Sequence, residues 1–323
     1  MTYTRRKFLV GTGAMFWATA LRAQTRDVLQ FEGPAFGASW RIRIAAGADA
    51  GAIVSAVKGI VTSVDGAMSP FLPMSEISRF NRMKTLEWVP LSAQTHTTIR
   101  EAKRVATLTR GAFDPTLGGV AGRYGFGPIT QQPAGRFGDL ELGAQSAKKA
   151  HISQTLDLCG IAKGHALDRI ATALKTLGQA SFFIELGGEV YALGHHPAGR
   201  PWYAGIERPE PQSAALQRVV AIDGEALATS GDRVNRFDFN GRRYGHIIDP
   251  KLKRPADTPL ACVSVFAPQA ITADALATAL FAMGPEQGIS FANREHIPAL
   301  FVVRDASGLR EVMTANFSTR IIG

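Results

Sequence analysis

Five strand-like runs crowd the second half of the chain, and this pattern constrains the fold more than any other feature. The runs are residues 181–186, 202–206, 218–222, 260–266 and 300–303. Most of them follow one another without a regular helix between them, whereas a doubly wound parallel sheet needs a crossover helix after nearly every strand. We therefore expect an α+β fold with mixed or antiparallel sheets and packed helices.

Residues 40–45 alternate between apolar and polar side chains, which predicts a strand. Four later segments have the apolar spacing of amphipathic helices. The predicted helices span residues 53–64, 75–81, 92–110 and 163–177. Ser75 is in position to cap the second of them, and Gly178 to end the last. The interval 118–145 is rich in Gly, Pro and Gln, which predicts a loop region that covers the core and acts as a ligand lid.

The composition excludes several classes of protein. With 46% hydrophobic and 20% charged residues among 323, the chain is neither disordered nor collagenous nor a coiled coil. Two cysteines, Cys159 and Cys262, are too few for a disulfide-stapled miniprotein. No internal repeat or long linker interrupts the remainder, so we expect one domain over residues 24–323.

The distribution of charge narrows the choice of partner. The formal net charge is +9, and four of the positive charges lie in the first 23 residues, which contain no acid. Removing these four leaves +5, carried by basic residues that are interleaved with acids rather than gathered in a run. This pattern argues against nucleic acid as a partner and is compatible with a small anionic ligand.

The first 23 residues have the pattern of an export signal. The pair Arg5-Arg6 precedes an apolar stretch over 11–21, which is too short to span a bilayer, and Ala23 follows. The segment resembles a twin-arginine signal, which delivers folded proteins to the periplasm. We expect the mature protein to work there. Leu21 is large for the minus-three position of a cleavage site, which leaves an uncleaved membrane anchor as the alternative.

The first segment that could carry chemistry is 157–165. Gly160 and Gly164 allow close backbone approach, and Lys163 adds a cation to the positive end of a predicted helix. Together they suit a phosphate group. The alternative is an ordinary strand-to-helix turn with an exposed lysine. The glycine spacing matches neither a phosphate-binding P-loop nor a dinucleotide fingerprint.

The second segment, residues 271–280, combines a carboxylate and a hydroxyl on one helical face. If Thr272 caps this helix, Asp274 lies in its first turn and Thr278 one turn later. Such oxygen ligands favour magnesium over zinc, and a magnesium ion held by few protein groups borrows oxygens from phosphate and water. Alternatively, Asp274 only complements the helix dipole and Thr278 packs inward.

The third segment comprises residues 228–231 and 244–250. His246 stands before an Ile-Ile strand and an Asp-Pro turn, so its position is fixed, as a general base or a phosphate donor requires. A buried structural histidine is the alternative. The remaining histidines lack the spacing of metal ligands, and we expect them at the surface.

In this order, the three segments resemble the ApbE family of FAD:protein FMN transferases. Further matching segments are 36–38, 75–81, 111–116, 186–189 and 202–206, so the resemblance extends over nearly the whole chain after the signal. The resemblance implies an ApbE-like fold. It also implies an enzyme that uses Mg²⁺ to cleave the pyrophosphate of FAD, joins the FMN half to a threonine or serine hydroxyl of an acceptor protein, and releases AMP.

The resemblance also implies roles for individual residues. Asp274, Thr278 and the backbone carbonyl of Gly160 match the metal ligands of the family, with Lys163 close by. His246 matches a candidate for proton transfer or phosphate contact. We expect His246, Lys163 and Asp274 to be catalytic. The residues expected to bind FAD are Asn81, Asp114, Lys163, Gly187, Gly188, Thr229, Ser230, Gly231 and His246.

Four positions depart from the residues that are usual in the family. Cys159 replaces a small residue, Glu185 a neutral amide, Glu189 an aspartate and Gly245 a histidine. These departures affect the expected details of the flavin cleft and leave the expected metal ligands unchanged.

Two other functions are compatible with the same residues. One is an FAD-binding accessory protein that delivers flavin without catalysis, and the other is a magnesium-dependent FAD pyrophosphatase. Asn81 favours transfer over hydrolysis, because it matches a position associated with FMN transfer in the family. The expected acceptor is an exported domain of a membrane-bound electron-transfer complex, which would bring the protein near the membrane surface.

Overall fold

The computed structural model describes residues 28–130, 136–210, 215–233, 236–239 and 242–322. The predicted signal, residues 1–23, lies outside the described residues. The α-helices of the described chain are α1 Ala50–Met68, α2 Glu76–Arg82, α3 Ala93–Leu108, α4 Gly118–Arg123, α5 Ala162–Thr176, α6 Ala270–Arg294 and α7 Ala315–Ser318.

The strands of the described chain are short, and most are joined to a neighbour by a tight turn. They are β1 Val28–Ala35, β2 Ala38–Ala45, β3 Val89–Pro90, β4 Glu141–Leu142, β5 Ser146–Lys148, β6 Phe182–Leu186, β7 Glu189–Leu193, β8 His195–His196, β9 Arg200–Glu207, β10 Leu216–Ile222, β11 Glu225–Gly231, β12 Arg236–Phe239, β13 Arg242–Gly245, β14 Ile248–Asp249, β15 Arg254–Pro255, β16 Leu260–Ala267, β17 Ala299–Asp305 and β18 Gly308–Met313.

The centre of the fold is an eight-stranded sheet in the order β1-β2-β6-β7-β11-β16-β17-β18, with every neighbouring pair antiparallel. Helices cover one face of this sheet. Strands β9 and β10 help to cover the other, where Trp202 and Val220 join a second apolar cluster. The antiparallel sheet with packed helices confirms the α+β prediction.

Strand β16 shows how burial on both faces shapes the sequence. All eight of its residues are buried, and seven of them are apolar, so apolar and polar residues do not alternate; the exception, Ser264, is hydrogen-bonded to Thr229. Val263 and Val265 face the helices, whereas Cys262 and Phe266 face the second cluster. An irregularity between Leu260 and Cys262 places Ala261 and Cys262 on the same side.

Helices α5 and α6 stabilise each other's N-termini. Asp168 of α5 accepts hydrogen bonds from the backbone N–H groups of Ala270 (2.7 Å) and Ile271 (2.9 Å), at the start of α6. Asp274 of α6 accepts one from the N–H of Gly164 (3.0 Å), in the first turn of α5. A Cβ at position 164 would lie 2.3 Å from the carbonyl oxygen of Ala270, so only glycine permits this crossing. The first N–H groups of a helix have no carbonyl partner within that helix. Each carboxylate therefore accepts hydrogen bonds from such N–H groups of the other helix.

The predicted strands and helices are confirmed, with small shifts of their ends. Helix α2 is capped by Ser75, whose hydroxyl accepts from the N–H of Ser78 (3.1 Å). Helix α5 ends one residue before Leu177, and Gly178 follows with a φ of +77°. Gly284, with a φ of +72°, interrupts α6, and a second helical stretch continues from there to Arg294.

Three expectations were wrong. Thr272 does not cap α6, because the helix begins two residues earlier at Ala270; Asp274 therefore lies in the second turn. The interval 118–145 is not purely loop, since it contains α4 and a short 3₁₀ helix, Phe137–Asp139, while 131–135 lies outside the described residues. His96 and His165 are buried rather than at the surface.

Helix α1 is the one helix of the described chain that is long and apolar enough to cross a membrane by length and composition. Ile53, Val57, Ile60 and Val64 lie on one side of it and belong to the main apolar core. This packing accounts for its apolar sequence as that of a core helix.

Candidate active site

The turn before α5 brings Gly160 to α6. Asn81 holds this segment through two hydrogen bonds to Leu156, one from its Nδ2 to the carbonyl oxygen and one to its Oδ1 from the N–H, both 2.8 Å. The Asp157 carboxylate then accepts from the N–H of Cys159 (2.9 Å), which tightens the turn. The segment that leads to Gly160 is thus held by the side chains of Asn81 and Asp157.

Helix α6 supplies the oxygen atoms that face this turn. Asp274 and Thr278 are one turn apart, and a Cβ at Gly160 would lie 3.3 Å from the Thr278 hydroxyl. The hydroxyl of Ser230, on β11, lies 3.2 Å from the Thr278 hydroxyl. A carboxylate, two hydroxyls and a glycine backbone therefore meet in one place.

Lys163 and Glu189 form an ion pair beside these oxygens. Glu189 is the first residue of β7 and is buried, whereas about a third of the Lys163 side chain is exposed (33%). Gly187 and Gly188 form the turn before β7, both with positive φ, as a two-residue hairpin turn requires. A Cβ at Gly187 would lie 3.5 Å from Cδ of Lys163, so this turn borders the ammonium group.

Burial and mutual repulsion shift the pKa values of the two acids. Burial raises the pKa of Glu189 to about 8, and the charge of Asp274 adds to the rise against the opposing effect of Lys163. Burial also raises the pKa of Asp274, although Lys163 and the Gly164 N–H oppose this. Burial lowers the pKa of Lys163, but the two carboxylates outweigh burial, so it lies above its usual value. Lys163 is therefore a fixed positive charge.

The cluster suits a hard divalent cation. Two buried acids share a single ammonium partner, and Glu189 Oε2 is buried with no hydrogen-bond partner among the described residues. The groups of Asp274, Thr278 and Ser230 that meet there are all oxygens, which a hard cation prefers as ligands. Asp274, Thr278 and the Gly160 carbonyl could hold such an ion if other oxygens complete its shell.

Several predicted site residues are brought together, and others are not. Gly160, Lys163, Gly187, Ser230, Asp274 and Thr278 lie in this cluster, and Gly188 lies at the adjoining turn. Thr229 does not contribute its side chain: its hydroxyl bonds that of Ser264 (2.8 Å) on the opposite face of the sheet, because successive strand side chains alternate. Gly231 packs against the backbone of β16, where a Cβ would lie 2.7 Å from the Ala261 oxygen.

The remaining predicted residues are engaged elsewhere. The Asp114 carboxylate accepts from the N–H (2.8 Å) and hydroxyl (2.6 Å) of Thr116, and burial raises its pKa. The side-chain amide of Asn81 is bonded to Leu156. His246 is half-buried, and its ring meets that of Phe126 edge-on with centroids 6.4 Å apart. Contact of these three residues with FAD stays a prediction.

Sequence reasoning gave no role to Glu189, which the structure places at the centre of the cluster. Its position carried a signal, because a glutamate opens an otherwise apolar strand directly after two glycines. Of the two cysteines, Cys159 is exposed and Cys262 is buried.

Comparison with known proteins places this arrangement in a family. The ApbE family matches residues 36–301. The FAD:protein FMN transferase of Vibrio cholerae is 33% identical over 97% of this chain and 98% of its own length. The structure of flavin transferase ApbE from Vibrio cholerae superposes with a TM-score of 0.82 at 31% identity, covering 91% of this chain and 99% of that one. The apo structure of the flavinyl transferase ApbE from Pseudomonas stutzeri superposes with a TM-score of 0.83 at 31% identity. That superposition covers 92% of this chain and 98% of the other. The chain therefore belongs to the ApbE family.

Proposed function

We propose that the protein is a magnesium-dependent FAD:protein FMN transferase. It joins the FMN half of FAD to a threonine or serine hydroxyl of an acceptor protein and releases AMP. The observation that carries this proposal is the meeting of Lys163, Glu189, Asp274, Thr278 and Gly160 at the N-termini of two crossed helices, in a chain that belongs to the ApbE family.

The reaction breaks one phosphoanhydride bond and forms one phosphoester bond. The oxygen of the acceptor hydroxyl attacks the phosphorus nearer riboflavin, and the bond from that phosphorus to the bridging oxygen breaks. AMP leaves with the bridging oxygen, and the hydroxyl proton passes to a base. Negative charge develops on the bridging oxygen, so fixed positive charge beside it lowers the barrier.

Lys163 supplies such a charge from within the chain. Its ammonium is held by buried Glu189, and the N-terminus of α5 adds the positive end of a helix dipole at the same place. Asp274, Thr278 and the Gly160 carbonyl would hold the magnesium ion, which acts as a Lewis acid on the phosphate oxygens when bound. Because these groups are already in position before FAD binds, they do not have to reorient as charge develops in the transition state.

His246 is the proposed general base. Asp274 is less suited to that role, because its carboxylate accepts from Gly164 and would also bind the cation. The ring of His246 lies edge-on to that of Phe126, and imidazole is the side chain best suited to act as a base near neutral pH.

We also propose that the protein acts in the periplasm after twin-arginine export, with the uncleaved anchor as the alternative. The support is the pattern of residues 1–23. The proposed acceptor is an exported domain of a membrane-bound electron-transfer complex. A sodium-pumping quinone reductase, an Rnf-type complex and a regulator of nitrous oxide respiration are candidates that supply such a domain.

The test begins with the host proteome. Flavin-fluorescent bands that remain after denaturing electrophoresis are compared with and without this gene, and mass spectrometry locates the modified residue. The purified acceptor is then incubated with FAD, Mg²⁺ and this protein. We expect one FMN attached for each AMP released. Equal amounts of free FMN and AMP would indicate a pyrophosphatase, and bound FAD without either product would indicate a delivery protein.

A further inference from the structure

A buried lysine meets the end of α2. Lys149, which directly follows β5, is only 1% exposed, although lysine is seldom fully buried unless an acid pairs with it. No carboxylate among the described residues offsets its burial, which lowers the pKa of Lys149 to about 8. A charged group that has lost its hydration destabilises the fold unless its hydrogen bonds compensate. The contacts of this ammonium group therefore decide what the residue does.

Lys149 binds the C-terminal end of α2. Its Nζ donates to the carbonyl oxygens of Asn81 (3.1 Å), in the last turn, and Met83 (2.8 Å), just beyond it. The same atom lies 4.9 Å from the centroid of the Phe80 ring. The last carbonyls of a helix have no donor within it and form the negative end of its dipole, so a cation is a suitable partner for them.

Asn81 is held on two sides by one stretch of the chain. Its backbone carbonyl accepts from Lys149, and its side-chain amide makes two hydrogen bonds with the backbone of Leu156. Within that stretch, the buried side chain of Gln154 accepts from the N–H of Ala150 (2.9 Å). The end of α2 and this stretch therefore form one hydrogen-bonded unit.

The unit leads directly into the candidate active site. Three residues separate Leu156 from Gly160, the proposed metal ligand. One of them, Asp157, accepts from the N–H of Cys159 and tightens the turn. A displacement of Leu156 would therefore be passed on to the Gly160 carbonyl. A misplacement of about 1 Å in a reacting geometry can lower a rate about a hundredfold.

We propose that Lys149 is a positioning residue for the reaction. By binding the end of α2 it keeps Asn81 paired with Leu156, and this pairing holds the Gly160 carbonyl where a metal ion would meet it. The effect on the reaction rests on the proposed function. The effect on the pairing of Asn81 with Leu156 does not, so the two can be tested separately.

The first measurement is hydrogen–deuterium exchange at the Leu156 amide, whose N–H donates to Asn81. Lys149→Met removes the ammonium but keeps the length of the side chain, and it should accelerate this exchange about tenfold. Exchange at the Ala299 amide, which donates to the Thr314 hydroxyl in a distant part of the fold, should stay within about twofold. Lys149→Gln, which is too short to reach both carbonyls, should have the same effect and serves as the second variant if Lys149→Met does not fold.

The second measurement concerns the reaction itself. Lys149→Met should lower kcat for FMN transfer about tenfold and should weaken Mn²⁺ binding, followed by electron paramagnetic resonance, about fivefold. The matched control is Lys103→Met, which removes a half-buried lysine of α3 that donates to the Leu140 carbonyl. It should change neither kcat nor Mn²⁺ binding, and exchange at Leu156 should stay as in the unsubstituted protein.

Four results would contradict one part of the account or another. Unchanged exchange at Leu156 in both Lys149 variants would overturn the proposal. Equal acceleration at Leu156 and Ala299 would also overturn it, because Lys149 would then only stabilise the fold as a whole. Faster exchange at Leu156 alone, with kcat and Mn²⁺ binding unchanged, would overturn the link to Gly160. Absence of FMN transfer in the unsubstituted protein would instead contradict the proposed function and leave the exchange result to decide the pairing.

Discussion

The α5–α6 junction and the segments that carry Asp114 and His246 are both expected to contribute to one reaction, but they are built differently. At the junction, side chains of one helix satisfy the backbone of the other, as Asp168 and Asp274 do. Asp114 instead bonds a residue two positions away, and His246 meets Phe126 through ring contact. Substitutions at the junction should therefore affect stability and activity together, whereas substitutions of the outer residues should affect activity alone.

The largest effect is expected for Asp274. Asp274→Ala should lower the transfer rate at least a thousandfold, because it removes a proposed metal ligand, and should lower stability by about 1 kcal/mol, because it removes the acceptor for Gly164. Asp274→Asn retains an acceptor oxygen and should lose the activity while keeping most of the stability. Rates and urea unfolding of the two variants check this. Full activity in either variant would contradict the metal assignment.

The next largest effect is expected for His246→Ala, which should lower the transfer rate about a hundredfold because it removes the proposed general base. Its melting temperature should stay within about 2 °C of that of the unsubstituted protein, because the side chain is only half-buried. The pH dependence of the rate is the decisive measurement: the acidic limb should disappear in the variant. An unchanged acidic limb would remove His246 from proton transfer.

Lys163→Ala should lower the rate of FAD turnover about 10- to 100-fold. This is the rate change expected when one charge-assisted contact with the transition state is lost. Stability should change less than the rate, because burial already raises the pKa of Glu189, so this side chain can become neutral when its charged partner is removed. Single-turnover rates and thermal melts separate the two effects. A large fall in melting temperature without a change in rate would assign Lys163 a structural role.

The smallest effect concerns Asp168, which holds the start of α6, and its main part is a change in stability with pH. Burial raises its pKa to about 6, against the opposing effect of the Ile271 and Ala270 N–H groups. Because the pKa in the folded state lies above that of the unfolded chain, the stabilising contribution is full below pH 4 and is lost as the pH rises through 6. Asp168→Asn does not ionise, so its stability relative to the unsubstituted protein should increase by about 1 kcal/mol from pH 4 to pH 7. Urea unfolding at several pH values measures the difference, and a decrease would mean that the helix dipole outweighs burial.

Much of the architecture followed from the sequence because it depends on local periodicity. The antiparallel strands and the ends of α2 and α5 are set by apolar spacing, Ser75 and Gly178. The pairing of Asp274 with Thr278 could be predicted for the same reason, since residues four apart share a helical face.

Features that depend on contacts between distant segments of the chain could not be predicted from the sequence. The start of α6 is fixed by Asp168, about a hundred residues earlier, so Thr272 was wrongly placed as its cap. The role of Glu189 depends on Lys163 on another element, and the face of β11 that carries Ser230 rather than Thr229 depends on pairing with β16. Sequence spacing alone contains none of these pairings.

Equilibrium titration of FAD, with and without Mg²⁺, onto the unsubstituted protein and Asp274→Asn tests the central claim most directly. If a divalent ion at Asp274 and Thr278 faces the diphosphate beside Lys163, Mg²⁺ should tighten FAD binding at least tenfold in the unsubstituted protein and leave the variant unchanged. The same Mg²⁺ dependence in both proteins, or none in either, would contradict the account.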